Sequence, residues 1–532
     1  MNPKAPNIVL VMADQLAAPF LPIYGHGIVK APHIERLARD GVVFESAYCN
    51  FPICAPSRFS MLSGRLPHAI GAWDNAALFP ADTPTVAHYL RYLGYRTILC
   101  GKMHFVGPDQ LHGYEERLTT DIYPADFAWT PDWLKGPEYR PTGVSMRSVL
   151  EAGPCVRNMQ IDYDDEVEHH GLQRIHDLAR APEDRPFFLT ISFTHPHPPF
   201  VTDQAHWDLY RDAGIDAPRV PEIPLERLDP HSRWLYHAHA QNLYSVPRER
   251  VMAARRAYYG MVSYVDDKVG RILEALRATS LDRDTVVVFA VDHGEMLGER
   301  GMWFKQTFYE PSVRVPLVVS WPGRFAPRRS RAHVSLVDLL PTFLDIATAG
   351  HAPQAVDPLD GRSLHPILAG TETDPGDREV ISEYSAEGVL GASRMVRSGR
   401  WKYVYTRGIP ALLFDLERDP DELENLAGRA EVREVEERLR ARALEGWDPD
   451  EIHARILASQ KRRLFLDEVA RRSGRYPNWS FQPFADASRR YIRGGGASGP
   501  TSAKARARFP FVEPVKPDRD PVATGNREEK SE

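Results

Sequence analysis

Cysteine is scarce in this chain: four residues in 532, at Cys49, Cys54, Cys100 and Cys155. So few thiols exclude a disulfide framework, and their spacing lacks the close pairs of a zinc site. Long apolar stretches are missing too. No run approaches the roughly 18 residues that a membrane span requires, so no membrane partner is expected. Nor is there a basic excess. Sixty-six Lys and Arg stand against 72 Asp and Glu, a net charge of −6, which argues against nucleic acid as a partner. The opening residues, Met1-Asn2-Pro3-Lys4-Ala5-Pro6, lack the apolar core and small-residue cleavage site of a secretory leader, and the expected location is cytoplasmic. No internal repeat is visible. With 43% hydrophobic and 26% charged residues, the chain has the balance of an ordinary globular protein with a large core.

What is present begins with short apolar runs: Asn7–Met12, Thr97–Cys100, Pro186–Phe193, Thr285–Val291 and Val315–Ser320. Continuous apolar runs bounded by polar turns fit strands buried on both faces. Helical patterns lie between them, at Thr83–Leu93 with Thr83 or Thr85 as cap, at Val251–Leu276 and at Val334–Ile346. Such alternation predicts an α/β fold with a large, mostly parallel mixed sheet flanked by helices. After about Pro375 the pattern changes. Glu379–Tyr384, Ser393–Val396, Trp401–Thr406 and Ala411–Glu417 read as short strands, and Asp450–Arg472 as a helix. The expected organisation is a catalytic α/β domain over 1–375 and a smaller antiparallel α+β subdomain over 376–485. Residues 486–532, rich in Gly, Ser, Pro and charge, form a tail that is disordered or an oligomer arm.

Polar groups cluster just past the apolar runs. Asp14 follows the first, and Asp292-His293-Gly294-Glu295 follows Thr285–Val291. Lys102 and His104 follow Thr97–Cys100, and His195 follows Pro186–Phe193. In open α/β sheets, ligands gather at the carboxyl ends of strands. Taken singly, each feature also fits a strand-end cap, a salt-bridged loop or a packing histidine. Several strand ends that each deliver polar groups are hard to explain by packing alone. His169-His170, after the acidic run Asp162–Glu168, reads as a solvated helix face, and His197 stands beside His195 as another histidine of interest.

The sharpest motif is Cys54-Ala55-Pro56-Ser57-Arg58, followed by Ser60-Met61-Leu62-Ser63-Gly64-Arg65. It resembles the C-x-P-x-R signature of type I sulfatases, in the alkaline-phosphatase-like superfamily. The resemblance implies that a formylglycine-generating enzyme oxidises Cys54 to formylglycine, whose gem-diol attacks sulfur through one hydroxyl and expels sulfate through the other. It further implies a divalent cation held by Asp14, Cys54, Asp292 and His293. Many sulfatases carry two adjacent aspartates where this chain has Asp14-Gln15, and Asp-Asn where it has Asp292-His293. Carboxylate oxygens suit Ca2+, and the imidazole makes Mn2+ the alternative. Arg58 and Lys102 would hold the nucleophile, and His104 would take a proton. His195 and Lys305 would bind sulfate oxygens, one of them protonating the leaving alcohol. Asn75 is a further sulfate contact.

Gly101–Asp132, Tyr163–Val167 and Asp292–Lys305 resemble choline sulfatase in particular. That likeness implies a quaternary ammonium pocket with Trp129 as its aromatic wall and Glu383, or its neighbour Glu387, as counter-charge. Tyr123 and Phe105 are looser candidates. Three stretches depart from the family: Gly136–Pro141, Pro198-Pro199 after His197, and Tyr491-Ile492-Arg493 running into Gly494. The expected function is hydrolysis of choline-O-sulfate or a related small sulfate monoester by a homo-oligomer. The alternatives are an arylsulfatase, a phosphonate monoester or phosphodiester hydrolase of the same superfamily, and a non-catalytic binder of sulfated osmolytes.

Overall fold

The computed structural model describes residues 5–484, apart from 140, 142–143, 181–183 and 373–377. The expected oligomer arm over 486–532, including Tyr491-Ile492-Arg493, lies outside the described residues, as does Arg140.

The strands of the catalytic region are β1 (Asn7–Ala13), β2 (Val42–Tyr48), β3 (Arg96–Gly101) and β4 (Glu116–Arg117), then β5 (Gly153–Cys155), β6 (Phe187–Ser192), β7 (Val201–Asp203), β8 (Thr285–Val291), β9 (Leu317–Ser320) and β10 (Arg328–Ser335). Eight of them form one sheet in the order β10-β2-β9-β8-β1-β6-β3-β4, while β5 and β7 pair separately. Every pairing in the large sheet is parallel except those of β9, which runs antiparallel to both β2 and β8. Every residue of β6 and β8 is buried. That is why these segments read as unbroken apolar runs: helices cover the sheet, and no face is left for alternation. Among them, Met159–Arg180 packs on β3 and β6.

Two strands escape a hydropathy reading. In β2 the apolar run is broken by Glu45 and Ser46, and β10 has the sequence RRSRAHVS. As the sheet's edge strand, β10 leaves Arg329 and Arg331 exposed, and charge on an edge blocks further pairing. The helix expected over Val334–Ile346 is also corrected. Val334 and Ser335 end β10, and the helix spans Leu339–Thr348. Between them Ser335 and Asp338 exchange capping hydrogen bonds, which fixes the start of the helical turn. The helix at 83–93 spans Val86–Tyr92, with Thr85 as its cap.

The second sheet is antiparallel, in the order β11 (Glu379–Tyr384), β12 (Ser393–Ser398), β13 (Trp401–Thr406), β14 (Leu412–Asp415). Its small core joins Val396, Tyr403 and Leu413 to Leu439 and Ala443 of the helix Arg433–Leu444. Buried Lys402 of β13 reaches back to Glu310 and Glu422, each at 2.7 Å, and ties this sheet to the catalytic region. The last helix, Pro449–Ser473, packs back on the main core through Ile452 and Ile456. Among the described residues, no helix is long and apolar enough to cross a membrane.

The sheet positions the site. β8, β1, β6 and β3 are neighbours and parallel, so the residues after their carboxyl ends (Asp292, Asp14, Thr194–His195 and Lys102) emerge on one edge. Gly101 lets β3 close tightly there. Its φ is +99°, and a Cβ would stand 2.0 Å from the Ser192 carbonyl oxygen.

Candidate active site

Cys54 begins the helix Cys54–Ser63, all ten residues of which are buried. The first N–H groups of a helix lack intrahelical acceptors. Here the Ala55 N–H donates to Asn75 Oδ1 at 3.0 Å. Residues four apart share a helix face, so Arg58 lies below Cys54 on the same side. Its Nε donates to Asp292 Oδ2 at 2.8 Å, and Nη1 donates to the Lys102 carbonyl and to Ser192 Oγ. Ser57 Oγ donates to the Asp292 carbonyl at 2.6 Å. The signature thus locks the helix start onto the ends of β3, β6 and β8.

Around Cys54 Sγ stand His293 Nε2 at 3.2 Å, Lys305 Nζ at 3.5 Å and Asp14 Oδ1 at 3.8 Å. Asp14, Cys54, Asp292 and His293 each offer a ligand atom, and these atoms all lie within 4.8 Å of one another. The donor set comprises two carboxylates, one imidazole and the Cys54 side chain, all buried, and it fits a hard or borderline divalent cation. Asp14 also pairs with Lys102 through its other oxygen. Burial and Cys54 push the Asp14 pKa up, but Lys102, His197 and Arg58 overcome them and hold it at about 2. Burial likewise raises the Cys54 thiol, yet Lys102, Lys305 and His293 bring it well below the ordinary thiol value. The pocket therefore stabilises negative charge at the position of Sγ.

Gln15 fills the place of a second aspartate without joining the cluster. Its Oε1 accepts from Lys305, its Nε2 donates to Glu295, and its backbone N–H donates to Asp292 Oδ1. His104 has a left-handed backbone, φ 61°. Asp121 braces it by accepting the Met103 and His104 N–H groups at 2.9 and 2.8 Å. Asp164 does the same for the next histidine loop. It accepts from the N–H groups of Thr194 and His195 and pairs with His195 Nδ1 at 2.7 Å. His195 Nε2 and Arg58 Nη2 are buried without a partner, and the His104 ring lies close enough to Cys54 to help lower its thiol. Such orphaned polar atoms are rare in native proteins.

His197 lies closer to the charge cluster than its place in the sequence suggests. Burial and Lys305 lower its pKa, while Asp14 and Cys54 act to raise it, and its ring lies 3.3 Å from the Tyr123 hydroxyl. His169 is exposed on the helix Met159–Arg180, as a solvated face requires. Asp121 and Asp164 carry no local spacing signal, because each acts on a loop brought close only by folding.

Aromatic rings line one side. Tyr123 stacks on His104 at 4.9 Å, Trp129 meets Tyr123 at 5.1 Å and His104 at 5.8 Å, and Lys102 Nζ sits 4.2 Å over the Tyr123 ring. Phe105, by contrast, is core, packed with Phe59 and Phe79. Glu383, one of the two carboxylates considered as counter-charge, already has cationic partners. It stands directly across β11 and β12 from Arg394 and pairs with it at 2.9 Å and with His68 at 2.8 Å. These partners satisfy it in place. Its neighbour Glu387 is buried, with Oε1 accepting from Gln306 Nε2 at 3.2 Å and Oε2 unpartnered. Burial, with Asp74 and Cys54 adding, raises its pKa to about 7.

The sulfatase family matches residues 6–349. The family described as N-sulphoglucosamine sulphohydrolase, C-terminal, matches 298–447, and that described as choline sulfatase enzyme C terminal matches 454–509. The chain is 43% identical over 507 residues to the choline-sulfatase of Rhizobium meliloti (strain 1021), covering 93% of this chain and 96% of that protein. It is 31% identical to arylsulfatase K of Homo sapiens over 447 residues, 80% of this chain and 79% of that one. The solved phosphonate monoester hydrolase of Agrobacterium radiobacter aligns at TM-score 0.67 and 24% identity, covering 85% of this chain and 96% of its own. A protein solved with its substrate D-glucosamine-2-N,6-O-disulfate aligns at TM-score 0.65 and 22% identity, covering 84% and 100%. Both structures share the fold.

Because Arg58 orients Asp292, Arg58→Lys is expected to weaken divalent metal binding roughly 10- to 100-fold. Calorimetric titration of the metal-stripped protein with Ca2+ and with Mn2+ checks this, and unchanged affinity for both would detach Arg58 from the metal centre.

Proposed function

The chain belongs to the sulfatase family, and on that premise we propose that it hydrolyses choline-O-sulfate, or a closely related small sulfate monoester, to the alcohol and sulfate. One observation carries the reading: a buried side chain, Cys54, lies within 3.8 Å of Lys305, His293 and Asp14 beside an aromatic wall. A divalent cation at Asp14, Cys54, Asp292 and His293, Ca2+ with Mn2+ as the alternative, supplies Lewis-acid stabilisation of negative oxygen. Formylglycine, made from Cys54 by a generating enzyme, supplies the nucleophile. The chain's own groups do the rest. Lys102 and Lys305 flank the nucleophile and offset the charge of an incoming sulfate. His104, whose ring faces Cys54, accepts a proton as sulfate departs. His197 is the better placed of the two loop histidines to protonate the leaving alcohol, because the negative charge of a bound ester opposes the burial and Lys305 that depress it. His195, held by Asp164, stiffens that loop and offers Nε2.

A quaternary ammonium donates no conventional hydrogen bond, so it must be recognised by aromatic faces and a carboxylate. Trp129 and Tyr123 supply the faces, and Glu387, with one oxygen free, supplies the charge. Four free thiols fit a reducing, cytoplasmic setting. Exposed Phe465, Leu466 and Val469 on the last helix fit a homo-oligomer.

The deciding measurement is kcat/KM on choline-O-sulfate, an aryl sulfate and a phosphonate monoester with metal-loaded protein. A clear preference for choline-O-sulfate is expected. Preference for the aryl sulfate or the phosphonate would assign the chain to one of those activities and remove choline from the proposal.

Glu387 adds a pH signature. Its raised pKa means that it is ionised above about 7 and neutral below. KM for choline-O-sulfate is expected to rise as pH falls through that value, by up to about tenfold per unit, while KM for an aryl sulfate keeps a flatter profile. Glu387→Gln should erase the difference. Parallel profiles for both substrates would dissociate Glu387 from the cation.

Mass spectrometry of the alkylated Cys54 peptide tests maturation. The active protein is expected to carry an unalkylated species in which oxygen replaces sulfur and two hydrogens are lost. Complete alkylation of Cys54 in fully active protein would remove formylglycine from the mechanism.

A further inference from the structure

The last helix, Pro449–Ser473, buries one stripe: Ile452, Ile456, Gln460, Arg463 and Ala470. Its first two members are apolar and pack in the main core. The next two are polar, where a packing stripe would ordinarily continue with apolar residues. Both make specific contacts. Arg463 grips Asp74 with two hydrogen bonds, Nη1 to Oδ1 and Nη2 to Oδ2, each 2.7 Å, and Nη1 also donates to Thr130 Oγ1 at 3.3 Å. Gln460 Oε1 accepts the Trp133 N–H at 3.1 Å, and Trp133 Nε1 donates to the Ala386 carbonyl at 2.9 Å.

Arg463's two contacts are each one residue from a group already placed at the site, and Gln460 reaches a third such position through Trp133. Asp74 precedes Asn75, which caps the Cys54 helix. Thr130 follows Trp129, and Ala386 precedes Glu387. Asp74 and Arg463 are both buried, so neither charge has water as a substitute partner. A planar guanidinium in a bidentate pair fixes distance and orientation together. Asp74 is moreover one of the groups that act on Glu387. No residue of the helix meets Cys54 or the metal-ligand cluster in any contact described above, so its grip is on the alcohol side.

We propose that Arg463, supported by Gln460, is a specificity-determining positioning residue: from the last helix it clamps Asp74 and Thr130 and so sets the spacing of Trp129 and Glu387 around the alcohol. The inference deepens the functional reading above and rests on its placing of the alcohol beside Trp129.

Arg463→Gln separates the two halves of the site. KM for choline-O-sulfate reads both halves, and Ki for inorganic sulfate as a competitive inhibitor reads only the sulfate half. The expected result is a rise in KM on the order of tenfold or more with Ki for sulfate unchanged. KM and Ki rising together, Ki rising alone, or neither moving would each overturn the proposal. If Arg463→Gln melts below the assay temperature, Arg463→Lys keeps a charge beside Asp74 but loses the two-pronged geometry, and the same split is expected at smaller size. Failure of the choline reading shows separately, as a wild-type protein without preference for choline-O-sulfate. In that event the same comparison is made on the substrate it prefers.

Discussion

Asp14 and Asp292 lie wholly out of water at one edge of the sheet, and the site depends on how their charge is balanced. A buried carboxylate without a partner is strongly unfavourable. Lys102 pairs with the first and Arg58 with the second. Lys102, with Lys305 and His293, also depresses the Cys54 thiol. The arrangement is therefore reciprocal. The carboxylates keep the cations charged in a dry pocket, and the cations stabilise negative charge at the nucleophile. The parallel strands make it possible, since β8, β1, β6 and β3 all end on one side and need only one to three further residues to reach a common point.

Much of this was legible in the sequence because it is written in local signals. β8 and β11 match their apolar or alternating runs residue for residue, and Asp14, Lys102 and Asp292 follow strands that could be seen. What was not legible is what folding alone brings together. β10 is charged because it is an edge, and an edge cannot be recognised without its sheet. Glu383 and Glu387 look interchangeable in the sequence. Only the pairing of β11 with β12 shows that Arg394 already occupies the first. Phe105 sits within a stretch that resembles a substrate pocket, yet its ring points into the core. Asp121 and Asp164 act at a distance of 17 and 30 residues or more on loops whose shape they fix.

The two halves of the proposed pocket have different architectural origins. The sulfate half is built on strand ends and a buried helix, rigid elements suited to fixed charge. The alcohol half draws on the loop carrying Tyr123 and Trp129, on the segment after β11, and on the last helix. Loops accept substitution more readily than strands. Fixed charge beneath a roof open to substitution is a physical reason why one fold can serve different esters.

Burial of the Cys54 helix has a temporal consequence. Every residue from Cys54 to Ser63 is inaccessible in the folded protein, and Cys54 itself is 1% exposed. Under the proposed conversion to formylglycine, an enzyme must reach this side chain, and the folded chain buries it. On that proposal, maturation and folding compete for the same stretch of chain. On the same proposal, a variant that folds faster would carry less converted Cys54 and less activity with no change to a single contact in the finished site.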